Sequence, residues 1–317
     1  MADRIILLVT SPRLPAGLLT AQAWDLVRTH PVWARAESAQ TEALRAAGAA
    51  VTVDPEVTAQ ALLALPGTVV WLAGPAGDPD LARDLGLRIA REPGLAELEL
   101  LYGSWDPPGA RLLDAVAVID RLVSPGGDPW KRQQTHQSLA RFLLEECYEA
   151  YDAIEAGDLR SLREELGDLL LQVVLHARLA EELPPEDRWT VDDVAGDLVD
   201  KLIRRSPHVF GSAQTEDIDE ITENWEQIKR AEKARLSALD GVALAQPALA
   251  LAAKILSRVE RAGLDVPLPD PTALGPTLLH AVADARAQGL DAEAELRRAT
   301  LEYAATVRAA ERRAHAG

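Results

Sequence analysis

The chain has a single cysteine, Cys147, so it can form no internal disulfide and no zinc site built from cysteines. It also lacks any stretch of about 18 apolar residues without charge, the length that a membrane-spanning helix needs. The N-terminal residues MADRIILLVTSPR lack the uninterrupted apolar run of a signal peptide. These absences predict a cytoplasmic protein that has no membrane partner.

Positive charge is also scarce, because 33 Lys and Arg face 50 Asp and Glu and the formal net charge is −17. Binding to a nucleic-acid polymer draws on clustered Lys and Arg that displace the counterions of the phosphates. We therefore expect no nucleic-acid polymer as the main partner. A small polyphosphate can still bind through a few local cations and a divalent metal ion.

Hydrophobic residues make up 48% of the 317 positions and charged residues 26%, which is typical of a globular protein long enough for two domains. Up to about residue 122, short apolar or β-branched runs alternate with helical stretches. This pattern predicts an α/β domain with strands at 5–9, 51–53, 69–72 and 98–102 and helices at 78–91 and 109–122. The turn residues at 124–129 then mark a domain boundary.

After that boundary, apolar residues recur at helical spacing and strand patterns disappear, which predicts an all-α region. Gly157 suits the residue that follows a helix, and Asp158 suits the cap of the next one. The helices on either side, at 138–156 and 159–182, are therefore expected to form an antiparallel hairpin. Later helices are predicted at 191–205, 218–236, 247–262, 272–288 and 292–313.

Each helix of this hairpin carries a pair of carboxylates. Glu146 and Glu149 are three residues apart, and Glu165 and Asp168 repeat that spacing. Residues three apart lie on one side of a helix, so each helix presents two carboxylates together.

A helical wheel, advancing about 100° per residue, places both pairs beside an apolar stripe. The stripes consist of Leu143, Cys147, Ala150 and Ile154 in the first helix and Leu162, Leu166, Leu169 and Val173 in the second. The second helix is apolar on nearly all sides, which indicates burial on several faces. Its carboxylates therefore cannot all point into bulk water.

Partly buried carboxylates without a cation cost several kcal/mol each in lost hydration, so a cation should meet the four of them. One candidate is a buried ion-pair network with Arg141, Arg160 or Arg163. The other is a metal ion, and an all-oxygen cluster suits Mg²⁺, with Mn²⁺ as a possible substitute. The residue types alone leave both alternatives open.

The pattern Glu145-Glu146-x-x-Glu149, followed by Glu165-x-x-Asp168, resembles the signature of the MazG family of nucleoside triphosphate pyrophosphohydrolases. Flanking segments are similar to that family as well and follow its order: DPWKRQQTHQSL, REELGDLLLQVVLHARLAEE, DKLIRRSPHVFG and ENWEQIKRAEK. The resemblance covers about residues 128–263.

This resemblance implies an all-α enzyme with a four-helix core that cleaves nucleoside triphosphates between the α and β phosphates. It further implies dependence on Mg²⁺, release of pyrophosphate and, commonly, a homodimer. By motif position the metal ligands are Glu146, Glu149, Glu165 and Asp168. Glu145 is a candidate catalytic residue that would help to activate water, with a surface charge as the alternative.

Other residues of the resembling segments are candidates for binding the substrate. Lys201 and Arg205 match a basic pair of the family, and Trp225 and Lys229 have the same spacing of four residues. The two basic residues could instead lie at a solvated helix end. Trp225 and Trp130 could stack on a base or simply pack against the protein.

The two ends of the chain differ from longer members of that family. Residues 264–317 resemble a degenerate second copy of the motif, without an ExxE or ExxD pair, so one type of active site per chain is expected. Residues 1–122 resemble a reduced tetrapyrrole methylase domain, with Gly77-Asp78-Pro79 as the one motif-like element and no expected methyltransferase activity. The predicted domains are thus 1–122, 128–263 and a helical tail at 264–317.

The intact carboxylate set favours hydrolysis of standard or damaged nucleoside triphosphates, a house-cleaning role in the nucleotide pool. A related pyrophosphohydrolase acting on dUTP or phosphoribosyl-ATP is one alternative. A non-catalytic protein that binds nucleotides or partners is another, because the second motif has been lost. No residue can be assigned to recognising the base.

Overall fold

The computed structural model describes residues 2–75, 77–211, 215–232 and 237–315, with the backbone alone at 226, 230 and 231. The chain divides into two compact units, Met1–Gly196 and Asp197–Gly317. The division rests on spatial contacts, whereas the domain bounds 1–122, 128–263 and 264–317 rest on sequence patterns and stay a prediction.

The first unit begins with a parallel sheet of five strands in the order β3-β2-β4-β1-β5. The strands are β1 (Ala2–Val9), β2 (Val32–Ala34), β3 (Val51–Val53), β4 (Gly67–Leu72) and β5 (Glu97–Tyr102). Central β1 pairs with β4 and β5, so that Ile5 lies opposite both Val69 and Leu98. The near-continuous apolar run of β1 is what a strand covered on both faces requires. The predicted α/β region is confirmed.

Four helices cover the two faces of this sheet: α1 (Ala21–Thr29), α2 (Ala39–Ala46), α3 (Ala59–Ala64) and α4 (Pro79–Arg91). Successive strand side chains point to opposite faces. Ile5 and Leu7 therefore pack with α3 and α4, while Ile6 and Leu8 pack with α1 and α2. The sequence patterns did not predict β2, α1, α2 and α3 individually, because these elements are too short to show a clear period.

A helical hairpin follows α5 (Arg111–Val123) and a short 3₁₀ turn at Lys131–Gln133. Its helices are α6 (His136–Ala156) and α7 (Leu159–Ala180), as predicted. Gly157 adopts the left-handed conformation at φ 67°, and the Asp158 side chain accepts hydrogen bonds from the backbone N–H groups of Arg160 and Ser161. These two residues therefore end one helix and start the next.

The hairpin is held to α5 by a small apolar core of Ile119, Val123, Leu139, Val174 and Leu175. Helix α7 lies against both α5 and α6. This packing accounts for three helices of the region, and the four-helix core implied by the resemblance stays a prediction.

The apolar stripes of the hairpin differ from what a wheel alone indicates. Ala150 is buried, but the exposed fractions of Leu143, Ile154, Leu166 and Val173 are 37%, 58%, 53% and 42%. We call these four residues the exposed apolar face. A wheel groups residues by side, but it does not determine which side meets the neighbouring helix.

The second unit contains the end of α8 (Val191–Arg205) and five further helices. They are α9 (Pro207–Phe210), α10 (Ile218–Glu232), α11 (Ala248–Arg261), α12 (Leu274–Ala287) and α13 (Ala292–His315). Helices α11, α12 and α13 pack against one another. The predicted extension of α10 to Leu236 falls on 233–236, outside the described residues. Across the described ranges, no helix is both long and apolar enough to cross a bilayer.

Candidate active site

Three carboxylates meet where α6 and α7 face each other. Glu146, Glu165 and Asp168 each offer an oxygen, and these oxygens all lie within 4.8 Å of one another. All three residues are half-buried. The hairpin explains the meeting, because a tight antiparallel connection places the last part of α6 opposite the first part of α7.

Glu149, the fourth predicted ligand, lies at the edge of this group and is exposed. Its negative charge contributes to the raised pKa of both Glu146 and Glu165, so its carboxylate lies near both. The structure therefore brings all four predicted carboxylates to one place, three of them tightly.

Burial and mutual repulsion make the negative charges of these carboxylates unfavourable. Burial, followed by the charges of Asp168, Glu149 and Glu165, raises the pKa of Glu146 above its ordinary value. Burial and the neighbouring carboxylates of Glu149 and Asp168 raise the pKa of Glu165 in the same way. Both shifts have the physical cause expected of like charges sharing a partly dehydrated site.

Arginine side chains do not supply the missing positive charge in the part of the chain that the structure describes. Arg141 instead lies over the Phe142 ring, with 4.5 Å between its guanidinium carbon and the ring centroid. Neither Arg160 nor Arg163 forms a salt bridge with any described residue. The ion-pair network that the sequence left open therefore has no support among the described residues.

A hard divalent cation fits this donor set. Mg²⁺ and Ca²⁺ bind oxygen ligands at about 2.0–2.6 Å, so oxygens within 4.8 Å of one another can share one ion. Zn²⁺ prefers nitrogen and sulfur ligands, and His or Cys is not part of the group. A bound cation would also remove the repulsion that raises the two pKa values.

Glu145 and Trp130 lie close to this hairpin. Glu145 is exposed on α6, and its charge contributes to the raised pKa of Glu146. The Trp130 ring meets the Phe142 ring edge-on, with 5.7 Å between centroids, and stays half exposed. Trp130 thus packs against α6 and still presents ring surface to solvent.

The other predicted contacts meet in the second unit. Arg205 Nη2 lies 2.6 Å from Glu232 Oε2, and the Arg205 side chain is buried. Its guanidinium carbon lies 4.9 Å from the Trp225 ring centroid, while Lys229 Nζ lies 4.6 Å from the same centroid. Arg205 is therefore not at a solvated helix end, and it joins α8 to α10. Lys201, one turn earlier, is half-buried.

Glu232 was not among the residues predicted from the sequence, and it also accepts a hydrogen bond from Arg204 Nε at 2.6 Å. The only local signal was its position three residues after Lys229. Its partners lie 27 and 28 residues earlier in the chain, a separation that helical spacing cannot connect.

Glu232→Gln is expected to lower the urea concentration at which half of the protein is unfolded at pH 7. Arg205, followed by Arg204, lowers the pKa of Glu232 from 4.5 to about 2. A carboxylate with a lowered pKa stabilises the fold above its unfolded pKa, and the contribution is lost as pH falls through the folded pKa. The difference in urea midpoint between the variant and the wild type should therefore shrink as pH falls from about 4.5 to about 2.

Urea unfolding followed by circular dichroism at several pH values measures this gap. Glu216→Gln is the matched control, because Glu216 is exposed and makes no ion pair with a described residue. Equal urea midpoints for wild type and Glu232→Gln at pH 7 would contradict the assignment of the ion pair.

The hairpin and α8 match a family model described as the MazG nucleotide pyrophosphohydrolase domain, over residues 134–210. The matched segment contains Glu145, the four clustered carboxylates, Lys201 and Arg205. Trp130, Trp225 and Lys229 lie outside it.

Three relatives match much of the chain. An "uncharacterized 26.1 kDa protein in blaB 3′region" of Streptomyces cacaoi is 47% identical over 74% of this chain and 97% of its own length. A nucleoside triphosphate pyrophosphohydrolase of Mycolicibacterium smegmatis is 47% identical over 70% of this chain and 66% of its own length. The nucleoside triphosphate pyrophosphohydrolase of Mycobacterium tuberculosis is 40% identical over 78% of this chain and 75% of its own length.

Proposed function

The chain belongs to the MazG family of nucleoside triphosphate pyrophosphohydrolases, and on that premise we propose that it hydrolyses nucleoside triphosphates to monophosphate and pyrophosphate in a Mg²⁺-dependent reaction. One observation carries the proposal. Three half-buried carboxylates lie with oxygens within 4.8 Å of one another, and no described cationic side chain pairs with them.

Glu146, Glu149, Glu165 and Asp168 are the proposed metal ligands. When bound, Mg²⁺ supplies the positive charge that offsets the departing pyrophosphate and orients a water, and Mn²⁺ is the expected substitute. The hairpin holds these side chains together before the substrate arrives, which limits the reorganisation needed during the reaction. Glu145, exposed beside the cluster, would accept the proton of the attacking water.

The substrate contacts proposed in the second unit divide into two roles. Lys201 would bind a phosphate directly, because its side chain is half-buried and forms no described ion pair. Arg205 is already held by Glu232 and would orient α8 and the Trp225 ring. Trp225 would stack on the base, and Lys229 would add positive charge beside it. The half-exposed Trp130, in the first unit, is a separate candidate for stacking on a base.

A homodimer is part of the proposal. Leu143, Ile154, Leu166 and Val173 leave an apolar surface exposed on the two helices that carry the carboxylates. Exposed apolar side chains are typical of protein interfaces, and a two-fold dimer would bury the same residues from both copies.

Product analysis tests the activity directly. The full chain is incubated with MgCl₂ and, separately, with each standard nucleoside triphosphate, oxidised or deaminated nucleotides, dUTP and phosphoribosyl-ATP. We expect monophosphate and pyrophosphate in equal amounts, loss of turnover in EDTA, and recovery with Mg²⁺ or Mn²⁺.

Release of orthophosphate would contradict the proposed bond cleavage. Saturable binding without turnover would favour the non-catalytic alternative. The substrate with the highest kcat/KM decides between a house-cleaning role and dUTP or phosphoribosyl-ATP as the main substrate.

A further inference from the structure

A cavity of about 550 Å³ opens at the carboxyl ends of β1, β2 and β4. The chain leaves β2 towards edge strand β3 and leaves β4 in the opposite direction, towards β5. Where connections diverge in this way, open α/β sheets bind ligands in the crevice beyond the strand ends. The volume also falls within the roughly 300–1,000 Å³ of small-molecule sites.

The described wall of the cavity comes from three segments that follow these strands, between Thr10 and Asp78. None of the active-site carboxylates is among its lining residues. Much of the wall is apolar, with Leu14, Ala36 and Leu72 among its side chains. Such a wall suits a ring that is flat and uncharged.

One positive side chain on this wall has no partner among the residues that the structure describes. Arg35, directly after β2, is exposed and forms no hydrogen bond or ion pair with a described residue. The neighbouring carboxylate of Glu37 is occupied, because Arg45 Nη1 donates to it at 2.7 Å and Thr41 Oγ1 at 3.0 Å. Arg35 is therefore free to bind an anionic group, and the first turn of α2 beside it favours negative charge as well.

Asp78 supplies a fixed acceptor on the same wall. Its Oδ2 accepts hydrogen bonds from Trp71 Nε1 at 2.8 Å and from the backbone N–H of Gly74 at 3.2 Å. No described donor binds its Oδ1. A carboxylate held in this way can accept hydrogen bonds from hydroxyl groups, as acidic residues do from the ribose of bound nucleotides.

We propose that this cavity binds a nucleoside monophosphate, with the phosphate at Arg35, the ribose hydroxyls at Asp78 and the base against the apolar wall. A nucleoside without phosphate would leave Arg35 unused. A triphosphate without metal would bring more negative charge than one free guanidinium can balance beside Asp78 and Glu37. The site is separate from the carboxylate cluster and does not depend on the proposed reaction.

Isothermal titration calorimetry of the full chain with AMP, GMP, CMP and UMP, and with the corresponding nucleosides, tests the proposal. EDTA is present throughout, so that divalent cations cannot recruit nucleotide to the carboxylates. At least one monophosphate should bind with a stoichiometry of one per chain and a Kd below about 1 mM. The corresponding 2′,3′-dideoxy monophosphate should bind about 10-fold more weakly, because it lacks the hydroxyls that reach Asp78.

Two variants address the site without touching the core. Arg35→Ala should weaken binding at least about 10-fold through loss of a charge-assisted contact. Ala36→Trp should abolish it, since the indole would fill the cavity from an exposed position. Arg91→Ala is the matched control, because Arg91 is exposed and lies outside this cavity. Thermal unfolding checks that each variant is folded.

Asp168→Asn tests whether the monophosphate binds in this cavity or at the proposed catalytic site. It should leave the Kd of the monophosphate in EDTA unchanged. The proposal would be overturned if Asp168→Asn lost monophosphate binding while Arg35→Ala and Ala36→Trp bound it as tightly as wild type. Absence of binding for all four monophosphates would do the same, as would equal affinity for the nucleoside and its monophosphate.

Discussion

Asp168→Asn is expected to lower kcat/KM for every substrate by at least about 100-fold, because it removes one charged ligand from the centre of the cluster. Asp168 is one of the three residues whose oxygens lie within 4.8 Å of one another. Its charge is also the strongest of the neighbouring charges that raise the pKa of Glu146. Asparagine keeps the size of the side chain while removing that charge.

The same substitution should have the opposite effect on the chain without metal. In EDTA, Asp168→Asn removes part of the repulsion among four carboxylates, so its melting temperature should equal or exceed that of wild type. Mg²⁺ should raise the melting temperature of wild type and have little effect on the variant, because a ligand stabilises only the state that binds it. Thermal unfolding with and without Mg²⁺ therefore tests the site independently of turnover.

Asp152→Asn is the matched control, since Asp152 is exposed on the same helix and lies outside the clustered group. It should keep normal activity and a normal Mg²⁺ shift. Activity of Asp168→Asn within about two-fold of wild type would show that the metal site is wrongly assigned.

Val173→Glu is expected to convert the proposed homodimer into monomers. Val173 belongs to the exposed apolar face. It lies on the side of α7 that is not covered by α5 or α6. A two-fold interface repeats each substitution, so two negative charges would be buried for every dimer. Glutamate has a higher helix propensity than valine, so the single chain should keep its fold.

Sedimentation equilibrium measures the change, and we expect the dissociation constant to rise at least about 100-fold. Leu87→Glu is the matched control, because Leu87 is 51% exposed on α4, outside the helical hairpin, and the substitution adds the same charge. A wild-type chain that is monomeric at high concentration would contradict the homodimer. A dimer that Val173→Glu leaves intact would place the interface elsewhere.

Local signals explain why the hairpin and its carboxylates could be predicted. Gly157 and Asp158 act on their own neighbours through backbone conformation and capping, and an i, i+3 spacing is a property of a single helix. The central strand β1 was predictable for a similar reason, since its apolar run is long enough to be distinctive. Short α3, with only six residues, carries less than two turns of periodicity and was missed.

Contacts between distant segments could not be predicted from the same patterns. The phosphate contact of Arg205 stays a prediction, whereas its pairing with Glu232, 27 residues later, left no signal in the helical spacing. The side of α7 that remains exposed depends on where α5 and α6 lie, and a wheel of α7 contains no information about them. The cavity beside Arg35 is built by three loops that only the strand order brings together.

The sequence by itself determined the α/β and all-α regions and the hairpin, and it placed four carboxylates on that hairpin, whose cation stays a prediction. Each of these follows from interactions within a few residues, which the order of side chains specifies directly. Only the tertiary structure decided that Glu146, Glu165 and Asp168 meet without a described counter-charge, that Arg205 is held by Glu232, and that a cavity opens beyond β1, β2 and β4. These depend on the packing of separate elements, because distance in space between such elements is not a function of their separation along the chain.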